Sequence, residues 1–342
     1  MHRPGKIKVH IKNNRHAADT FPNTARGEEV FTITRERYAA AAEAFPDVAA
    51  RLEAFIDWDT DHFAESMAAA EALVCWNLPT AELARVAPRL KWIHIIGAGV
   101  EHLTPMDWLP AGVQLVNNKG VHADKAGEFG AMALLMLHNA MPAVIANQAA
   151  ALYDSLYSPS IAGKTVLVIG VGSIGAAVAR QAKALRLHVI GVSRHGRAVD
   201  GVDEMLTPAG LETALPRADF VFVATPLTAE TRNLISRRRL DLLKPGAALV
   251  NIGRAPVVDY AALAEKLRGG ELSGAILDVF EQEPLPPDSP FWRVPNLLVT
   301  PHISADDGNQ YVALTLQLFF ENMRRYLNRE PLENQVRPDL GY

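Results

Sequence analysis

Thr165-Val-Leu-Val-Ile-Gly-Val-Gly-Ser-Ile-Gly175 is the stretch on which the fold turns. Thr165 to Ile169 is a continuous aliphatic and β-branched run, the composition of a strand buried on both faces. Gly170, Gly172 and Gly175 follow in the order G-x-G-x-x-G, and Ile174 to Leu185 continues with helical spacing. Such a glycine run is a weak signal alone, but between a strand and a helix it reads as a dinucleotide fingerprint. Glycine permits a tight turn and close approach of backbone to a pyrophosphate, whose charge the N–H groups around Ser173 and Ile174 stabilise.

Further strands follow outward from this stretch, at His188 to Val192, Phe220 to Ala224, Ala248 to Ile252, Gly274 to Val279 and Leu297 to Thr300. Helical segments separate them, which predicts a doubly wound parallel sheet. Upstream, Ile7 to Ile11, Ala72 to Trp76, Trp92 to Ile96 and Val113 to Asn117 read as strands of a smaller unit, with helices at Arg35 to Ala44 and Thr80 to Ala87. Asp124 to Leu152 is a long apolar helical stretch that Pro142 interrupts, starting a second helix. Its apolar surface needs a partner, which is either a second copy of the chain or the rest of its own fold. Asp307 to Leu327 reads as one amphipathic helix with Val312, Leu316, Phe319, Phe320 and Met323 on a common side, returning to the first domain. The expected class is α/β: a Rossmann-like doubly wound domain, residues 120–303, and a smaller flavodoxin-like substrate domain, residues 1–119 and 304–342. The hinges are expected near Lys119 and Ser304.

Composition agrees. A chain of 342 residues exceeds the roughly 250 that one core usually reaches, so about two domains are expected. The net charge of -4 with scattered Lys and Arg carries no basic footprint for nucleic acid. Cys75, the single cysteine, excludes an internal disulfide framework and sits in the apolar run Ala72 to Trp76 as a buried, inert thiol. Met1 to Lys6 has no apolar signal core, and no run reaches the roughly 18 apolar residues of a membrane span. A soluble cytoplasmic protein is the expectation.

Chemistry concentrates in the last third. His302, in Thr300-Pro-His-Ile, titrates near neutral pH and is the natural proton donor or acceptor. Glu283, in Asp278-Val-Phe-Glu-Gln-Glu-Pro, can hold that imidazole protonated. Arg254 follows the fourth strand of the nucleotide domain, at the carboxyl end where open α/β sheets bind ligands, and its forked donors match a carboxylate. The turn Ile96-Gly-Ala-Gly-Val100 can present N–H groups of Ala98 and Gly99 to an anion, or simply end its strand. Trp76 borders a substrate side-chain pocket. None of the 11 histidines has metal-ligand spacing, so no metal is expected. At the ribose site, where NAD binding calls for an acid, Ser193 stands instead, followed by Arg194 and Arg197. These suit a 2′-phosphate, so NADP(H) is preferred and NAD(H) stays open.

Over essentially its whole length, most clearly from Ile96 to Val100 and Gly163 to Ser304, the chain resembles the D-isomer-specific 2-hydroxyacid dehydrogenases. Within that family it is most similar to NADPH-preferring glyoxylate/hydroxypyruvate reductases, sharing the Ser-Arg ribose site and the Ser289-Pro-Phe-Trp292 and Thr300-Pro-His-Ile-Ser304 contexts. The resemblance implies reduction of a small 2-oxo acid to the D-2-hydroxy acid, with Arg254, Glu283 and His302 as the catalytic set. It implies that Ala98 and Gly99 hold the substrate carboxylate and that Asp278 contacts the nicotinamide carboxamide. Thr225, Pro226 and Thr231 would lie along the cofactor. A homodimer through the nucleotide domains is implied too. The chain departs from the pattern at Ala255 and Arg186, each where glycine is usual, so Leu185 to His188 is expected to turn without positive φ. Two alternatives share the scaffold: a corepressor-like nucleotide sensor, and a formate-type dehydrogenase, against which Glu283 in place of glutamine argues.

Overall fold

The computed structural model describes residues 5–15 and 25–338; the stretch before Gly5, read above for a signal core, lies outside them. The chain divides into two compact units, Met1–His122 with Asp307–Tyr342, and Ala123–Asp306.

The first unit is built on five parallel strands: β1 (Ile7–Asn13), β2 (Leu52–Trp58), β3 (Ala72–Cys75), β4 (Trp92–Ile95) and β5 (Gln114–Asn117). Their order is β2-β1-β3-β4-β5, the flavodoxin-like arrangement. Strand periodicity splits the core in two. Ala72 and Val74 face one cluster, which contains Val312, Leu316, Phe319, Phe320 and Met323 of the long C-terminal helix. Leu73 and Cys75 face the other, with Met67, Leu83 and Ile93.

In the second unit seven parallel strands run β6 (Thr165–Ile169), β7 (His188–Val192), β8 (Glu204–Leu206), β9 (Phe220–Val223), β10 (Ala248–Asn251), β11 (Gly274–Leu277) and β12 (Leu297–Val299). The order β12-β11-β10-β9-β6-β7-β8 is a doubly wound sheet whose direction of build reverses between β6 and β9. Helix α1 (Ala123–His138) packs on α2 (Ser173–Ala184) at close range: a Cβ on Gly130 would stand 2.8 Å from Val178 Cγ2. Intrachain packing therefore accounts for one face of the long apolar stretch. Its other face leaves Met132 41% and Leu135 38% exposed. Pro142 lies in the first turn of the next helix, Met141–Ala149, as its chemistry requires. Among the described residues no single helix is long and apolar enough to cross a membrane.

Two strands, β2 and β8, were not expected. Both are edge strands: β2 reads Leu-Glu-Ala-Phe-Ile-Asp-Trp with most of its residues half-buried, and β8 has only three residues. The helix expected from Asp307 begins at Tyr311, because the Asp307 carboxylate binds the N–H groups of Asn309 and Gln310 in a preceding turn. The expectation for Leu185 to His188 is corrected: Arg186 itself adopts φ +63. Its N–H donates to Lys183 O at 2.8 Å and that of Leu187 to Ala182 O at 3.0 Å, so a Schellman turn ends α2 on a non-glycine residue.

Candidate active site

All three glycines of the fingerprint are placed by the structure, for different reasons. Gly170 has φ +96, and a Cβ there would lie 2.7 Å from Ala224 O. A Cβ on Gly175 would lie 2.1 Å from Gly170 O, so the strand and α2 can approach only through glycine. At Gly172 a Cβ would meet nothing within 4 Å. Protein packing does not demand glycine there, which leaves the backbone at the start of α2, beside Ser173 and Ile174, open to close approach by a ligand. Across the switch point, at the end of β9, Thr225 Oγ1 is buried and has no hydrogen-bond partner among the described residues. An open glycine edge and an orphaned hydroxyl on two strands that flank the reversal fit a dinucleotide.

The remaining positions expected at the cofactor each have their own local contacts. Ser193 follows β7 with its N–H bonded to Leu206 O at 3.1 Å. Arg194, 37% exposed, pairs with Glu230 at 2.9 Å, and Arg197 is exposed. Thr231 Oγ1 donates to Pro226 O at 2.7 Å and accepts from the Thr228 N–H at 2.8 Å, which fastens the loop after β9. Asp278 is fully buried, and its carboxylate accepts from Thr300 Oγ1 (2.6 Å) and from the N–H groups of Ile303 (3.0 Å) and Ser304 (3.0 Å). In this structure it anchors the His302 turn.

Arg254, Glu283 and His302 stand beyond the carboxyl ends of β10, β11 and β12. The Arg254 turn is held by Asn251, whose Oδ1 accepts from the Gly253 N–H (3.0 Å) and whose Nδ2 donates to Arg254 O (3.1 Å) and Tyr260 Oη (2.9 Å). Tyr260 Oη donates in turn to Val279 O at 2.9 Å, joining this turn to the one that carries Glu283. Ala255, where glycine is usual, opens a buried 3-10 turn (Ala255–Val257) and needs no positive φ.

Glu283 divides its carboxylate between two donors: Oε1 accepts from the Phe280 N–H at 2.7 Å, and Oε2 lies 2.7 Å from His302 Nδ1. With the carboxylate ionised, Nδ1 carries its proton and Nε2 is the nitrogen available for exchange. The His302 N–H donates to Asp278 O at 2.9 Å, and the residue has φ +54. Burial works against a charged imidazole, but the bond and charge of Glu283 outweigh it and raise the His302 pKa above its ordinary value. Burial likewise disfavours ionised Glu283, yet His302 and, less strongly, Arg254 hold its pKa below the usual range. Burial also pushes Asp306 up to about 6, with the His302 charge opposing. Asn251, Tyr260 and Asp306 escaped the sequence reading; the sole signal was their closeness in sequence to Arg254 and His302.

Trp76, Ala98 and Gly99 belong to the first unit. Asn117 Nδ2 donates to Ala98 O at 2.7 Å, fixing the turn, and the Trp76 ring lies where a Cβ on Gly97 would come within 2.2 Å.

Comparison with known proteins bears on the family and the fold. Residues 131–304 match the family model described as D-isomer specific 2-hydroxyacid dehydrogenase, NAD binding domain. A glyoxylate reductase of Thermofilum pendens is 32% identical over 69% of this chain and 72% of its own length. A D-isomer specific 2-hydroxyacid dehydrogenase of Xanthobacter autotrophicus Py2, solved with NADPH and MES, superposes with a TM-score of 0.82 at 30% identity, over 99% of this chain and 100% of that one. The NADPH-dependent glyoxylate/hydroxypyruvate reductase of Sinorhizobium meliloti, solved with NADP and sulfate, gives a TM-score of 0.79 at 29% identity, over 98% of this chain and 100% of that one. With two parallel sheets, a glycine fingerprint and the matches just described, the chain belongs to the D-isomer specific 2-hydroxyacid dehydrogenase family, oxidoreductases that use a nicotinamide cofactor.

Proposed function

We propose that the protein reduces a small 2-oxo acid, of the glyoxylate or hydroxypyruvate type, to the D-2-hydroxy acid and prefers NADPH. The observation that carries this reading is the 2.7 Å contact between His302 and Glu283, on the unit that also carries Arg254 and the glycine fingerprint. When bound, the cofactor supplies a hydride to the keto carbon. Gly170 to Gly175 and Thr225 hold it by the backbone and hydroxyl described above, and Arg194 binds the 2′-phosphate by exchanging its Glu230 partner. Pro226 and Arg197 border it.

Arg254 holds the substrate carboxylate through paired N–H donors, which fixes the keto carbon in register. Within the first unit, the N–H groups of Ala98 and Gly99 are a proposed anion contact and Trp76 a proposed border of a substrate side-chain pocket. His302 Nε2 gives its proton to the carbonyl oxygen as the hydroxyl forms. Glu283 keeps the imidazole charged beforehand and Nδ1 protonated throughout. For Asp278 we propose two duties, the anchoring seen here and a contact with the nicotinamide carboxamide. A homodimer is proposed through the exposed apolar residues Met132, Leu135, Ile145 and Leu152 of the nucleotide unit.

Oxidation of NADPH and of NADH, followed across 2-oxo acids of rising size, tests the reading. Turnover of glyoxylate or hydroxypyruvate with a clear NADPH preference is the expected result. Tight NADPH binding with no turnover of any 2-oxo acid would overturn it.

A further inference from the structure

The turn after β4 has its hydrogen-bond acceptors filled and its donors empty. Ile96 O accepts from Asn118 Nδ2 and from Tyr311 Oη, the latter on the C-terminal helix (Tyr311–Asn328). Gly97 O accepts from the Asn118 N–H at 3.0 Å, and Ala98 O from Asn117 Nδ2 at 2.7 Å. The N–H groups of Gly97, Ala98 and Gly99 have no acceptor among the described residues. All of these groups belong to the first unit.

A peptide unit is planar, and in the trans form its C=O and N–H point to opposite sides. The peptide bonds of this turn are trans. Tying Ile96 O therefore fixes the direction of the Gly97 N–H. Tying Gly97 O does the same for Ala98, and tying Ala98 O for Gly99. Ala98 and Gly99 are half-buried, whereas Gly97 is buried against the Trp76 ring. Sheltered N–H groups without acceptors are costly, and successive ones in a turn suit an anion.

The side chains that tie the carbonyls are themselves held. Asn118 is fully buried, its Nδ2 also donates to Thr315 Oγ1 at 2.7 Å, and its Oδ1 lies 2.7 Å from His94 Nε2. With Nδ2 donating, Oδ1 accepts, so His94 carries its proton on Nε2. The Tyr311 ring is 4% exposed and meets Phe31 edge-on at 4.5 Å, so packing places its hydroxyl.

We propose that Asn117, Asn118 and Tyr311 are positioning residues. They hold the peptide planes from Ile96 to Gly99 so that the N–H groups of Ala98 and Gly99 meet a carboxylate without reorganising. The proposal rests on the anion contact and the 2-oxo acid reduction argued above.

Asn117→Ala removes the donor on Ala98 O, and Tyr311→Phe removes one donor on Ile96 O while keeping the ring. Asn118 is left in place, because its loss would strand His94 Nε2 in the core. Calorimetry of the full chain, with and without NADP+, measures binding of oxalate, an acid that cannot be reduced in this way. Steady-state kinetics with NADPH and glyoxylate or hydroxypyruvate run beside it. Oxalate affinity should fall about tenfold in Asn117→Ala and about threefold in Tyr311→Phe. KM should rise by similar factors, with kcat and NADPH affinity retained. A lower Tm with KM unchanged overturns the proposal, because these side chains would then only tie the helix to the sheet. So does a wild-type chain that takes up no oxalate in either state. Should Asn117→Ala fold poorly, Tyr311→Phe decides alone. If no 2-oxo acid is reduced at all, the reaction itself is misassigned, and oxalate decides the turn separately. Weaker binding in the folded variants supports it; equal binding overturns it.

Discussion

His302 Nδ1 and Glu283 Oε2 stand 2.7 Å apart, while the other oxygen of the same carboxylate takes the Phe280 N–H at 2.7 Å. Fixing both carboxylate oxygens leaves the imidazole one orientation and one tautomer. Replacing His302 by Asn keeps a hydrogen-bonding side chain on a backbone that asparagine tolerates, but removes the proton. Turnover should fall on the order of 10²–10⁴-fold with NADPH affinity retained, measured by stopped-flow hydride transfer and cofactor titration.

The pH dependence follows from the two shifts. The His302 pKa is raised, so reduction should be flat below that value and decline above it. Glu283→Gln removes the main opposing influence to burial, and the alkaline limb of kcat/KM should move to lower pH. Stability follows the same signs. The imidazolium contribution is complete below about 6.5 and is lost as pH rises through the higher folded value. Glu283, with a lowered pKa, contributes fully above about 4.5 and loses its share as pH falls through its folded value. The Tm deficit of Glu283→Gln should therefore be largest between these limits, and one that grows steadily above pH 8 would contradict the pairing.

Arg254→Met removes the paired donors but leaves the Asn251 scaffold, which grips main-chain groups of the turn. A loss of about 2–3 kcal/mol in transition-state binding is expected, roughly 30- to 150-fold in kcat/KM. Arg254→Lys should recover only part of it, because an ammonium lacks the fork.

For the cofactor, Arg194→Asp should abolish the NADPH preference and spare NADH. Glu230→Gln should act the opposite way, lowering the KM for NADPH, because Arg194 would no longer exchange a carboxylate for the phosphate. A screened surface pair of this kind is worth at most about 1 kcal/mol, so the gain is up to about fivefold and shrinks with added salt.

Arg186 holds φ +63 at the end of α2, a conformation that suits glycine. Arg186→Gly should stabilise the protein by about 0.5–1 kcal/mol, relief of the left-handed backbone outweighing the added freedom of the unfolded chain. Chemical denaturation would show this as a higher midpoint at unchanged slope.

The sequence announced its buried strands and the edge strands β5 and β12, but hid the edges β2 and β8. β6 and β7 fall on Thr165–Ile169 and His188–Val192 as read, because strands buried on both faces are written in uninterrupted aliphatic residues. β2 and β8 lie at sheet edges, where Glu53, Asp57 and Glu204 interrupt the pattern. At the site, the side chains proposed to carry chemistry stand out by residue type and order. Their supports do not. Asn251 and Tyr260 act through main-chain groups brought together by β10 and β11, and spacing along the chain does not encode that proximity. The Glu230 partner of Arg194 is 36 residues distant and equally unreadable.

The backbone of His302, at φ +54, has one more implication. Few side chains rest there easily: glycine, asparagine and aspartate besides histidine. The substitutions least disruptive to folding at this position are thus ones that would remove the proposed proton donor while Asp278 continues to grip the surrounding turn. On the proposed role of His302, one substitution should thus separate nucleotide binding from turnover without cost to the fold.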